Sequence, residues 1–164
     1  DATQSVYHSE NGEIRFQDRD IIKKYNVDQN RLVIELTESG FIESDRFFVS
    51  FCNRLKENGI LLALDDFGTG YSNFHYLYNL KPDCIKVDRG LMKNALANQY
   101  ENMLLKHMID MAHSVDVKMC IEGIETQEEL DKILEMGCDY IQGYYFSKPL
   151  PFNEIEEYLK KKRK

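Results

Sequence analysis

Residues 61–70 read "LLALDDFGTG". An apolar run of strand length ends there in two adjacent aspartates, Asp65 and Asp66, and a Gly-Thr-Gly turn comes next. Neighbouring carboxylates repel one another. Such a pair is either solvated at the mouth of a loop or holds a cation between its members, and the rest of the chain has to decide which.

Four more runs of strand length accompany it: "RLVIEL" (31–36), "CIKVD" (84–88), "VKMCIEG" (117–123) and "YIQGYY" (140–145), with "GILLALD" (59–65) as the second in order. Helical periodicity fills the gaps. Phe47, Phe48, Phe51, Cys52 and Leu55 form one helix face that stops at Gly59, and Met103, Leu104, His107, Met108, Met111 and Val115 form another. "TQEEL" reads as a capping box, with Thr126 as N-cap, Glu129 reaching back, Ile133 and Leu134 on the buried side and Gly137 as the stop. A last helix starts near Asn153 and buries Ile155 and Leu159. Strand and helix in alternation predict a parallel-sheet α/β fold in one domain. The first thirty residues fit this pattern poorly, and only "DIIKKY" (20–25) looks able to pack one face on a core.

Each strand carries polar groups toward its carboxyl end. Glu35 and Thr37 share a face of the first, with Glu38 just beyond; Asp65 and Asp66 close the second; Lys86 and Asp88 share a face of the third; Glu122, with Glu125 beyond it, ends the fourth; Gln142 ends the fifth. One such group alone reads as a solvated loop residue. Parallel strands bring their carboxyl ends to one side of the sheet, where α/β enzymes carry their sites, so five together predict convergence. Glu35, Asp65, Asp66 and Glu122 are all oxygen donors and suit hard divalent cations such as Mg²⁺ or Mn²⁺. Zinc fits poorly, because His107 and His113 are six apart on a helix and no cysteine joins them. Two ions about 3.5–4 Å apart activate a water and neutralise a phosphodiester in line, which makes phosphoryl hydrolysis the natural chemistry, with Lys86 orienting the water or offsetting phosphate charge.

The net charge of −7 argues against broad nucleic-acid binding and so against DNA as a partner, and the terminal "KKKRK" reads as a frayed helix end. No run approaches the ~20 apolar residues of a membrane span. A cytoplasmic location is the default expectation, and Cys52, Cys84, Cys120 and Cys138, which form no C-x-x-C pair, read as buried free thiols.

"ELTES", "LALDDFGTGYSNFHYL", "IKVD", "IEGIET" and "IQGYYFSKPLP", in this order between Arg31 and Pro151, strongly resemble the EAL domain, the cyclic di-GMP phosphodiesterase family. The resemblance implies an incomplete (β/α)₈ barrel of TIM type with about six parallel strands. It implies hydrolysis of cyclic di-GMP to pGpG with two Mg²⁺ or Mn²⁺ ions. Matched by motif, Glu35, Asp65, Asp66 and Glu122 are similar to the metal-site acids. Lys86 is similar to the lysine near the attacking water, Glu122 to a catalytic acid-base group and Gln142 to its hydrogen-bonded partner. Glu38 and Glu125 resemble loop-stabilising acids, and the "DFGTG" loop resembles the segment through which family members form homodimers. The resemblance also admits a fused upstream sensor or GGDEF-type domain.

The departures are as informative. The Glu-Ala-Leu tripeptide is absent, and the position of a family Asn ligand falls on Thr3 in "DATQSVYH". A full barrel takes about 250 residues, so the 164 present are expected to form the C-terminal two-thirds of a domain, with sheet edges that invite partner strands. Three readings stay open: a metal-dependent phosphodiesterase, weak or inactive as this chain; a non-catalytic module that binds cyclic di-GMP or a protein; and a fragment of this ancestry with no activity of its own.

Overall fold

The computed structural model describes residues 24–37, 46–68 and 74–162. Five strands, β1 (Val33–Thr37), β2 (Leu61–Phe67), β3 (Cys84–Val87), β4 (Lys118–Ile121) and β5 (Tyr140–Ile141), form one sheet in the order β1-β2-β3-β4-β5, all neighbours parallel. Six helices accompany them: α1 (Arg46–Glu57), α2 (Phe74–Leu80), α3 (Arg89–Ala97), α4 (Gln99–Ser114), α5 (Gln127–Met136) and α6 (Phe152–Lys162). This is the parallel α/β arrangement expected, a partial TIM-type barrel. The sixth strand expected near "DATQSVYH", with Thr3, and most of "DIIKKY" lie outside the described residues; Lys24 and Tyr25, at the end of the latter, are exposed.

Side chains alternate across a strand, so each strand divides its residues between two faces. Leu62, Leu64, Ile85, Val87, Met119 and Ile121 lie on one face and are buried. Leu62 and Leu64 pack with Phe51, Cys52 and Leu55 of α1, whereas the other four pack with Met92 of α3, Leu105 and Ile109 of α4 and Ile133 of α5. Complete burial of one such aliphatic side chain stabilises by about 1.5–3 kcal/mol, so this layer is the main source of cohesion. The opposite face carries Glu35, Ala63, Asp65, Cys84, Lys86 and Cys120. Its polar members are what the helices cannot cover.

Three helix faces differ from the sequence expectation. In α4 the buried side is Leu105, Ile109 and Ala112, with Met108 packed beside them, while Met103, Leu104, Met111 and Val115 are exposed. The helix has apolar residues on both sides, and periodicity alone does not say which side meets the sheet. In α5, Ile133 is buried and Leu134 is exposed; in α6, Ile155 is half-buried and Leu159 is exposed. The capping box forms as read, Thr126 Oγ1 accepting from the Glu129 N–H at 3.2 Å and Glu129 Oε2 accepting from the Thr126 N–H at 3.1 Å. β5 is shorter than "YIQGYY", because the chain turns at Gly143.

At the amino edge of the sheet two aspartates repeat one device. Asp83 donates its N–H to the Leu62 carbonyl and accepts the Leu62 N–H on its carboxylate at 2.9 Å. Asp139 does the same with Met119, accepting its N–H at 2.9 Å. Each side chain thereby satisfies a strand-start donor that the ladder leaves open. Lys56 lies 3.3 Å from Asp83, while Lys118 and His113 lie 2.8 and 2.7 Å from Asp139. Burial pushes the Asp139 carboxyl up, but the Lys118 ammonium, the Met119 N–H and the His113 ring outweigh it and hold the group down at about 2. All four cysteines are free thiols, and burial pushes Cys52 and Cys84 up to about 11 and Cys120 to about 12.

Because the folded carboxyl of Asp139 titrates below its ordinary range, its contribution to stability is complete above about pH 4 and is lost as pH falls toward 2. Asp139→Asn should therefore cost roughly 1–3 kcal/mol at pH 7. The deficit should shrink between pH 4 and pH 2. Urea unfolding of both chains across that range checks it, and a deficit independent of pH would contradict the assignment.

Candidate functional site

The parallel register sets up the site. Glu35 pairs with Ala63, Thr37 with Asp65, and Lys86 with Cys120, so Glu35, Asp65 and Lys86 come to the same end of one face. Glu122 directly succeeds β4, its N–H donating to the Val87 carbonyl at 3.1 Å. Gln142 succeeds β5 in the same way, donating to the Ile121 carbonyl at 2.9 Å and accepting from the Ile124 N–H at 3.2 Å.

Asp65 and Asp66 would point to opposite faces of a regular strand. They do not, because β2 carries a bulge there. Leu64 pairs with Ile85 and Phe67 with Val87, so three steps on β2 match two on β3. Asp66 takes up the extra residue with φ 55°, in the left-handed region that Asp tolerates better than most residues. One carboxylate oxygen from each of Asp65, Asp66 and Glu122 lies within 4.8 Å of the others.

Lys86 is the only charged residue buried among the described residues, at 6% exposure. Its ammonium lies 2.9 Å from Glu35 Oε1, 3.0 Å from Asp65 Oδ1 and 2.9 Å from Glu122 Oε1. Burial alone would depress the lysine. Hydrogen bonding to Glu122, Glu35 and Asp65 outweighs that and raises it above its ordinary value, so the ammonium stays charged. Burial raises the Glu122 carboxyl, Lys86 pulls it back, and the charges of Asp65 and Glu35 push it up again, for a net rise. Asp66 is raised as well, by burial first and then by Asp65 and Asp88.

Glu35 joins the cluster through Lys86 and stands outside the three-oxygen set. Asp65 Oδ1 is buried, 3.0 Å from the ammonium, and accepts no other hydrogen bond among the described residues. Among the described residues, three carboxylates share this ammonium and Asp66 lies beside them, a donor set of hard oxygens. That composition fits a divalent cation.

Glu125 sits apart from the cluster, ion-paired to Arg89 at the start of α3, with its N–H donating to Glu129 Oε2 at 2.8 Å. Gln142 is exposed, and the hydrogen bonds just given run through its backbone. Glu38 lies outside the described residues, as does the loop at 69–73. Asp88, read as a strand-end group, is the N-cap of α3 and accepts the Gly90 N–H at 2.6 Å; "DRG" carried that cue. Sequence reasoning missed Arg89, whose partner Glu125 is 36 residues away.

Residues 6–149 match the EAL domain family. The cyclic di-GMP phosphodiesterase NbdA of Pseudomonas aeruginosa is 38% identical over 129 residues, which are 79% of this chain and 16% of that protein. The EAL domain of Mycobacterium smegmatis DcpA superposes with a TM-score of 0.79 at 29% identity, over 86% of this chain and 63% of that one. Klebsiella pneumoniae BlrP1, solved as a manganese/cy-diGMP complex, superposes with a TM-score of 0.73 at 29% identity, over 79% of this chain and 33% of that one. This chain thus spans less than two-thirds of each of these relatives. With the barrel segment, the acidic cluster and the match over most of its length in agreement, the chain belongs to the EAL domain family.

Proposed function

We propose that this chain carries the metal-binding and lysine side of a cyclic di-GMP phosphodiesterase site. The observation that carries the reading is the gathering of Asp65, Asp66 and Glu122 oxygens within 4.8 Å, with the Lys86 ammonium against two of the three. Asp65, Asp66 and Glu122, with Glu35 beside them, would hold Mg²⁺ or Mn²⁺. Bound divalent cations supply water activation and neutralisation of the phosphodiester.

The chain's own groups have distinct tasks. Glu122 is raised by burial and sits beside a fixed cation, which suits a carboxylate that accepts a proton from the attacking water. Lys86 keeps its charge and offers a donor that orients this water or the phosphate oxygens. Gln142 serves as the orienting amide, while Glu38 and Glu125 steady the adjoining loops. A homodimer that uses the segment after Asp66 belongs to the same proposal. No described helix is long and apolar enough to cross a membrane.

A second, non-catalytic reading has cyclic di-GMP bind to the same residues without hydrolysis. Calorimetric titration with Mn²⁺, then with cyclic di-GMP plus Mn²⁺, and finally chromatography for pGpG, separates the two. The expected outcome is Mn²⁺ binding that Asp65→Ala weakens more than about tenfold, nucleotide binding that requires the metal, and slow pGpG formation lost in Glu122→Gln. Nucleotide binding with no pGpG selects the second reading. Mn²⁺ affinity indifferent to Asp65, Asp66 and Glu122 would sink both.

Lys86→Met tests the electrostatic balance separately. It leaves Glu35, Asp65 and Glu122 without their cation, and the Glu122 carboxyl, already raised by burial and held back by Lys86, should rise further above its unfolded value. Stability is then retained below about pH 4 and lost as pH rises toward 7. The carboxylates are partly solvated, so the loss at pH 7 should be about 1–3 kcal/mol, and millimolar Mn²⁺ should recover more of it than it adds to the wild type. Thermal unfolding at pH 4 and pH 7 reads this, and equal losses at both would contradict it.

A further inference from the structure

We propose that Arg89 is a positioning residue for Glu122, acting through the turn at 123–125; the inference rests on the metal-site reading above. Glu122 has no long strand to hold it, since β4 ends at Ile121. The turn after Glu122 is tightly constrained. Gly123 has φ +78°, and a Cβ there would collide with the Cβ, Cγ and Cδ of Arg89. The aliphatic stem of Arg89 therefore lies directly against the backbone of residue 123, in space that only a glycine leaves open. Its guanidinium continues past that contact to ion-pair with Glu125.

One side chain thus spans the turn, the stem at 123 and the charge at 125. Arg89 itself is anchored, because the preceding Asp88 caps α3 and Lys86 two residues further back is in the cluster. The far side of the turn is closed too. Ile124 is fully buried, its N–H donates to the Gln142 carbonyl at 3.2 Å, its carbonyl accepts from the Tyr145 N–H at 3.0 Å, and a Cβ on residue 143 would strike the Ile124 backbone. The Glu122–Glu125 segment is clamped between Arg89 and the chain after β5. Since Glu122 is the first residue of that segment, removal of the Arg89 clamp releases the direction of its carboxylate relative to Asp65 and Asp66. The stem lies against residue 123 and the guanidinium pairs with Glu125, so the effect is one of orientation.

The test uses the 164-residue chain, Mn²⁺ as probe, calorimetry for affinity and thermal unfolding for stability. Arg89→Ala and Glu125→Ala should each weaken Mn²⁺ binding about tenfold. The double variant should be no weaker than either single one, because both break the same clamp. Arg89→Lys, which keeps a stem and a terminal charge, should stay within about threefold of wild type. A residue that only stabilised the fold would lower the unfolding temperature and leave the affinity of the folded chain unchanged. Wild-type Mn²⁺ affinity in Arg89→Ala overturns the proposal, and so do losses that multiply in the double variant. If the wild type itself takes up no Mn²⁺, the metal-site reading fails, and the clamp is then read from amide hydrogen exchange. Faster exchange at Ile124 in Arg89→Ala, with β2 unchanged, supports the clamp, and unchanged exchange at Ile124 overturns it.

Discussion

A single ammonium among carboxylates is the constraint on which the functional edge depends. Each contact of Lys86 at 2.9–3.0 Å gives a gross attraction of about 5–6 kcal/mol at an effective dielectric near 20, while two carboxylate oxygens at 4.8 Å, the outer limit of the Asp65, Asp66 and Glu122 spacing, repel by about 3–4 kcal/mol. The lysine can therefore offset the repulsion within the group it touches. Burial first, and the neighbouring carboxylates after it, still raise the Asp66 and Glu122 carboxyls above their ordinary values. The edge is stable enough to form, and its acids outnumber the ammonium among the described residues.

That balance requires the two faces of the sheet to differ. One face is a continuous apolar layer under α1, α3, α4 and α5, which supplies the cohesion. The other begins with Ala63, Cys84 and Cys120 and ends in charge. The two edges of the sheet also divide their work. Asp83 and Asp139 at the amino edge each accept a strand N–H and pair with bases, a structural use of charge. Among the described residues, the acids at the carboxyl edge outnumber the base they surround.

Much of this was legible in the chain. Adjacent Asp65 and Asp66 at the end of an apolar run, Glu122 at the end of another and Lys86 between them could be assigned to one edge, since parallel strands leave no other place for their carboxyl ends. The capping box at Thr126 was legible for a local reason: its bonds span three residues. The exposed side of α4 was not, because Met103, Leu104, Met111 and Val115 are as apolar as Leu105 and Ile109. A helix with two apolar stripes does not encode which one the sheet will take.

Residue type, order and local periodicity are enough to settle the alternation of strand and helix and the family. The remaining features arise from the packed fold. The bulge that turns Asp66 to the side of Asp65 exists only in the pairing of β2 with β3. Glu35 reaches the cluster through Lys86, and Arg89 reaches Glu125 over Gly123, only once strands distant in sequence lie side by side. Such contacts come from register and close approach, which a linear pattern of residues does not contain.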